Sequence, residues 1–168
     1  DFDLIRMSGL FPDTLYCAWY ETVGPENLFA IEHVIESDGF LRLRAHGDID
    51  LDGDMDLVFE NPDDFFWLEN LDGGGDFSED PQSICSFEEF SSNPTNINLY
   101  DIDTDGDLDL VFVEGSTSNI WVAVNDGTGS FGNKVILYTG ISEIRSFIAR
   151  DLDGDSDLDL LTMRYENR

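Results

Sequence analysis

Basic residues are scarce in this chain of 168 residues: eight Lys and Arg stand against 37 Asp and Glu, for a formal net charge of −29. A protein so short of cations cannot neutralise a phosphate backbone or an anionic lipid surface, which excludes nucleic-acid binding. No apolar run approaches the ~20 residues that span a bilayer, so no membrane insertion is expected. No secretory signal opens the chain, which begins Asp1-Phe2-Asp3 without a basic start or an apolar stretch. Only two His are present, and neither His33 nor His46 accompanies a recognisable nucleophile motif, so Ser-His-Asp and Cys-His chemistry is unsupported. Gly73-Gly74-Gly75 lacks the Lys-Ser/Thr of a phosphate loop, and Pro94 blocks the one Asn-x-Thr acceptor, Asn93-Pro94-Thr95. What is present in quantity is acid and core. The hydrophobic fraction of 41% and the aromatic fraction of 12% exceed those of a solvated acidic tail, so a folded chain is expected. Its self-repulsion then calls for something cationic among the carboxylates.

The acid is ordered. Of 25 Asp, 15 fall in three windows, 48–56 (DIDLDGDMD), 101–109 (DIDTDGDLD) and 151–159 (DLDGDSDLD). Each has Asp at positions one, three, five, seven and nine and runs into apolar residues. The windows start 53 and 50 residues apart, and Asp1-Phe2-Asp3-Leu4-Ile5 matches Asp54-Met55-Asp56-Leu57-Val58, so the chain opens inside a fourth copy. This is a tandem repeat, divided as 1–53, 54–106, 107–156 and the start of a further repeat over 157–168. Trp19, Trp67 and Trp121 each stand ten residues before a Phe, at Phe29, Phe77 and Phe131, with Gly- and Asn-rich turn residues between. Met7 to Thr14 is expected to form a longer loop in the first copy.

Each unit reads as four short strands rich in Val, Ile, Phe, Tyr and Trp. The first precedes the Asp loop (Phe40–Ala45, Ile97–Tyr100, Ile144–Ala149) and the second follows it (Leu57–Glu60, Leu110–Glu114, Leu158–Met163). The third carries the Trp (Leu15–Glu21, Phe65–Glu69, Ile120–Val124) and the fourth lies beyond the Phe (Leu28–Ile35, Ile84–Phe90, Lys134–Tyr138). The one helix candidate is Ser86–Ser91. Four strands in ~50 residues is the size of one β-propeller blade. The predicted fold is therefore all-β: about three blades of four antiparallel strands, a segment of a larger propeller, since three blades are too few to close a ring of 4–8.

Asp at positions one, three and five, with Gly at six in the first two windows, suits a hard cation: a tight loop turns the carboxylates inward, and the position-seven carbonyl joins them. An EF-hand would place a bidentate Glu at position twelve, where Phe59, Phe112 and Thr162 stand. Position nine is Asp each time, so the loop closes three residues early and leads into a strand. All-oxygen ligation from a flexible loop suits calcium better than zinc or magnesium. The third window has Gly154 at position four and Ser156 at position six, so its site is expected to form with some strain.

The D-x-D-x-D-G-x-x-D-L loop, repeated at this spacing with a Trp-bearing strand and N-D-G-x-G-x-F, resembles the FG-GAP/VCBS repeat over the whole chain. The resemblance implies blades of a seven-bladed propeller, as in integrin α subunits and many secreted proteins. It also implies one calcium in each loop between first and second strands. By position, the implied ligands are Asp48, Asp50, Asp52, Asp54 (backbone) and Asp56; then Asp101, Asp103, Asp105, Asp107 (backbone) and Asp109; and Asp151, Asp153, Asp155, Asp157 (backbone) and Asp159. Three bound Ca²⁺ ions would bring the charge from −29 to about −23. The Phe-Gly and Gly-Ala-Pro signatures of the integrin subgroup are not clearly present.

The functional expectation is a calcium-binding extracellular segment, secreted or at the cell surface, acting as a binding or adhesion scaffold for protein or glycan, with no enzymatic activity of its own. One alternative is a structural protomer of an extracellular fibre or surface assembly, whose partners are further copies of itself. Another is the propeller part of a secreted polysaccharide-active enzyme. Spacing does not decide whether Cys17 and Cys85 form a disulfide or remain buried thiols. His46 either contacts the loop or is a hydrogen-bonded strand residue. The Trp residues are expected to fill the layers between blades, since each recurs at one register, more than to form a sugar-stacking platform.

Overall fold

The structure, a computed structural model, describes residues 4–8, 16–23, 31–35, 41–88, 90, 92–139 and 143–164. All regular structure among them is β. The first sheet holds β1 (Leu4–Ser8), β2 (Tyr16–Glu21) and β3 (Ile31–Ile35). The second holds β4 (Arg42–Gly47), β5 (Asp56–Glu60), β6 (Asp64–Leu68) and β7 (Gln82–Ser86). The third repeats that meander with β8 (Pro94–Tyr100), β9 (Asp109–Glu114), β10 (Ile120–Ala123) and β11 (Val135–Tyr138). The fourth is the pair β12 (Ile144–Arg150) and β13 (Asp159–Arg164). Neighbours in every sheet are antiparallel and consecutive in the chain, as short polar hairpin turns dictate. The two four-stranded sheets have the form of propeller blades. Each Asp window joins the first strand of its sheet to the second.

β5 and β9 are buried from end to end, because each second strand is covered on both faces. Leu57 and Phe59 pack with Cys17, Phe66 and Leu68 towards the first sheet. Val58, Phe65 and Trp67 face the other way and meet Leu110, Phe112 and Ala123 of the third sheet. Val111, Val113, Ile120 and Val122 face on to Ile144 and Phe147 of the fourth. Strict alternation thus lets one strand serve two interfaces, and each large apolar side chain so buried contributes about 1.5–3 kcal/mol. The first strands of the second, third and fourth sheets each carry a register shift, at Leu43/Ala45, Thr95/Asn98 and Ile144/Ser146.

The expected strands form, with ends displaced by a few residues, and three expectations need correction. The helix candidate at Ser86–Ser91 is instead the end of β7 followed by a turn closed by the Phe90 N–H donating to the Phe87 carbonyl at 3.0 Å. The long loop expected from Met7 starts later, since β1 runs to Ser8. The tryptophans do not share one register. Trp67 pairs with Val58 and Trp19 with Ile5, but Trp121 pairs with Phe112, one residue out of step, and so lies on the opposite face of its sheet. Trp67 reaches forward and Trp121 back into the same layer between the second and third sheets. Asp1, Asp3, Phe29, Phe40 and residues 9–14 lie outside the described residues.

Glycine is needed where one sheet's Trp meets the next sheet's turn. The Trp67 Nε1–H donates to the Gly129 carbonyl at 3.1 Å, and a Cβ on Gly75 would stand 2.3 Å from the Trp19 ring. A Cβ on Gly129, at φ +73°, would stand 2.1 Å from the Trp67 ring. Gly53, at φ +100°, has open space around it, so an Ala there meets only backbone strain. Gly129→Ala should therefore cost about 2–4 kcal/mol and Gly53→Ala about 1–2 kcal/mol, measured by urea unfolding in chelator. Equal losses at the two positions would contradict the packing account.

Candidate metal centre

The three Asp loops share one backbone path. Position four has positive φ in each (Leu51 64°, Thr104 63°, Gly154 85°), and so has position six (Gly53 100°, Gly106 102°, Ser156 78°). The turn needs two left-handed residues, and every loop supplies one Gly and one non-Gly. The strain expected at Ser156 is real, and relief at Gly154 offsets it.

The same hydrogen bonds recur. The position-six N–H donates to the position-one carboxylate at 3.2, 3.2 and 3.1 Å, from Gly53 to Asp48, Gly106 to Asp101 and Ser156 to Asp151. Asp50, Asp52, Asp105, Asp153 and Asp155 each accept from the N–H two residues on, at 2.9–3.3 Å, turning successive carboxylates to one side. The position-nine carboxylate accepts the position-two N–H: Asp56 from Ile49 at 2.9 Å, Asp109 from Ile102 at 3.0 Å and Asp159 from Leu152 at 3.0 Å. The second oxygens of Asp56 and Asp109 accept the N–H groups of Asn70 and Asn125, both at 2.9 Å.

Carboxylate oxygens of Asp48, Asp50 and Asp56 lie within 4.8 Å of one another, as do those of Asp101, Asp103 and Asp105 and those of Asp151, Asp153 and Asp159. Asp50 and Asp52 form a further such group with Glu69. Asp109 and Asp155 belong to none of these groups. The side chains of Asp54 and Asp107 turn to the glycine turns of their own sheets, where a Cβ on Gly73 would lie 2.4 Å from Asp54 and one on Gly127 3.2 Å from Asp107. Asp157, at the equivalent place in the third loop, is exposed. Sequence reasoning missed Glu69, because the third sheet has Val124 at the equivalent place and no repeat pattern marks it. It also took Asn70 and Asn125 for turn formers only, where each closes a loop. His46 is exposed on β4 opposite Leu57; His33 stacks on Trp19 at 4.0 Å and meets Glu21 at 3.2 Å. Cys17 and Cys85 are not joined by a disulfide and are buried in different interlayer clusters.

These groups carry repelling charge in partly dry surroundings. Burial pushes Asp56 up to about 6, against the pull of the Asn70 and Ile49 N–H groups. Burial, then the charges of Asp105, Asp109, Asp103 and Asp101, raise Asp107 to about 6 as well. Asp50 and Asp109 are raised mainly by burial. One oxygen each of Asp48 and Asp101 is buried and lacks a hydrogen-bond partner. His33 pairs with Glu21, and Arg42 and Arg44 pair with Glu60, away from the Asp loops. Orphaned carboxylate oxygens in all-oxygen groups fit a hard cation, and the groups can hold a metal ion.

The chain matches the model of the FG-GAP-like repeat twice, over residues 48–112 and 101–162. Together these matches cover more than half of its length, and the chain belongs to that family. No curated protein and no solved structure matches it significantly.

The raised carboxyls set a sign for the metal-free protein. Between pH ~4 and ~6 the folded state holds protons that the unfolded chain has released, so stability increases as pH falls through 6. In chelator the melting temperature should be higher at pH 5 than at pH 7.5. With saturating divalent cation, protons compete for the ligands and the order should reverse. Scanning calorimetry in the two buffers tests this; a metal-free protein that loses stability from pH 7.5 to 5 would contradict it.

Proposed function

We propose that this FG-GAP-like repeat chain is a calcium-stabilised segment of an extracellular propeller, serving as a binding or adhesion scaffold for protein or glycan. The observation that carries the metal part is the pair of buried, unpartnered oxygens of Asp48 and Asp101, each inside a group of three carboxylates. Calcium supplies compact positive charge and tolerates the irregular oxygen geometry of a flexible loop. Asp48, Asp101 and Asp151 receive the position-six N–H and so set how each loop closes. Asp56, Asp109 and Asp159 are the first residues of the second strands and hold the position-two N–H of their loops, which ties loop order to sheet order. Extracellular modules bind calcium with Kd of roughly 10⁻⁴–10⁻³ M, which suits a calcium-rich compartment. Among the described residues no helix is long and apolar enough to cross a membrane.

A scaffold role rests on the rigidity of stacked sheets and on the lack of a recognisable catalytic constellation in the sequence. A second reading, a protomer of an extracellular assembly, draws on β11, where Val135, Ile136, Leu137 and Tyr138 are 42–50% exposed on an outer strand.

Calcium at about ten times Kd should stabilise the fold by about 1.4 kcal/mol per loop. Asp52→Ala and Asp105→Ala should lower the melting temperature in calcium and hardly change it in EDTA. Differential scanning fluorimetry of the variants in both buffers decides the metal part; equal losses in the two would sink it. Calcium-dependent retention on a glycan array or an immobilised protein ligand tests the scaffold part.

A further inference from the structure

The first two loops are joined by an unbroken line of hydrogen bonds, all but the last of them buried. Asp56 Oδ2 accepts the Ile49 N–H at 2.9 Å, and the Ile49 carbonyl accepts from Asn125 Nδ2 at 2.7 Å. The Asn125 N–H donates to Asp109 Oδ1 at 2.9 Å, and Asp109 Oδ2 accepts the Ile102 N–H at 3.0 Å. Asp56, Ile49, Asn125 and Asp109 are at most 3% exposed, so water does not compete for these bonds. The line crosses from one sheet to the next. Asn125 closes the loop of the third sheet and at the same time holds the peptide at position two of the preceding loop.

The molecule contains its own control. Asn70 does the same local work in the second sheet: its N–H donates to Asp56, its Nδ2 to the Met55 carbonyl at 3.3 Å, and its Oδ1 accepts from Gly75 at 3.0 Å. Asn125 Nδ2 likewise donates to the Leu108 carbonyl at 3.3 Å, and its Oδ1 accepts from Asp126 at 2.9 Å. Only Asn125 has the further bond to a neighbouring loop among the described residues.

We propose that Asn125 is a positioning residue that couples the first two cation loops, so that an ion in 48–56 raises the affinity of 101–109, and the reverse, while 151–159 binds independently. This rests on the metal reading above. Without an ion, repelling carboxylates loosen a loop and with it the peptide at position two. An ion in the first loop fixes Asp56 directly, and an ion in the second gathers Asp101, Asp103 and Asp105 and so steadies the loop peptide, Ile102 N–H, that Asp109 holds. That order passes through Ile49 and Asn125 to the other carboxylate, and the second ion then meets a loop already closed. The coupling is reciprocal by thermodynamic necessity.

The test follows the amide resonances of Gly53, Gly106 and Ser156 by NMR during calcium titration, one position-six probe per loop. Gly53 and Gly106 should titrate together, and Ser156 separately. Asp52→Ala, which disables the first loop, should weaken binding reported by Gly106 about 5-fold or more and leave Ser156 unchanged. In Asn125→Leu, which keeps the backbone N–H, Asp52→Ala should no longer affect Gly106. Asn70→Leu loses comparable local bonds and should lower stability while the coupling remains. If Asn125→Leu does not fold, the Asp52→Ala comparison in the wild-type background stands as the test. Three sites that fill independently would overturn the coupling, and coupling that survives in Asn125→Leu would overturn the role of Asn125. A chain that takes up no calcium would overturn the metal reading itself.

Discussion

A buried carboxylate with two backbone donors is the constraint on which the rest of this structure hangs. Asp56 and Asp109 are fully buried, and each uses its two oxygens to hold the position-two N–H of the loop and the N–H of the Asn after the third strand. Three separate pieces of backbone thus converge on one side chain. A neutral side chain could satisfy part of that pattern, but only a carboxylate presents two acceptors at that spacing. Burial of the charge is costly, which is why Asp56 sits near 6 rather than in the ordinary carboxylate range. With eight bases in the whole chain, the compensating charge has to come chiefly from outside.

The same aspartate is the first residue of the second strand, so the ligand group and the hydrophobic core share a register. One residue beyond Asp56, Leu57 faces the first sheet; the next, Val58, faces the third. A slip of one residue at this point would exchange the two faces of the most buried strand in the sheet. The molecule accepts such a slip only farther along. Trp121 is displaced by one residue relative to Trp67, and it still packs half-buried against Phe90 because the layer between the second and third sheets can be filled from either side. Fixed register at the loop and tolerance at the hairpin are both consequences of where the paired N–H groups are.

Much of this was legible in the sequence. The period, the four strands of each unit and the Asp windows rest on local signals: β-branched and aromatic runs, Gly-rich turns, and carboxylates at alternate positions. What stayed hidden depends on contacts between units. The ten-residue Trp-to-Phe spacing is the same in the second and third units, yet Asn70 bridges to Phe77 and Asn125 to Phe131, seven and six residues on. Two opposed one-residue shifts leave the spacing intact and move Trp121 to the other face. Glu69 joins Asp50 and Asp52 through the fold alone. Asn125 reads as an ordinary turn residue until the 2.7 Å bond to Ile49 is seen.

The third loop separates what is local from what is tertiary. All of 151–158 is exposed, whereas Ile49 and Asp107 in the other loops are buried. Gly has moved from position six to position four. Even so, Asp151 holds the Ser156 N–H at 3.1 Å and Asp159 holds the Leu152 N–H at 3.0 Å, the same bonds at nearly the same lengths as in the other two loops. Loop shape is therefore encoded within nine residues, by alternating carboxylates and two left-handed positions, and does not require a neighbouring sheet. What the neighbour adds is dryness and connection: raised carboxyls at Asp56, Asp107 and Asp109, orphaned oxygens at Asp48 and Asp101, and a bonded path from one loop to the next. Repetition supplies the acidic loop, and stacking determines how dry its carboxylates are.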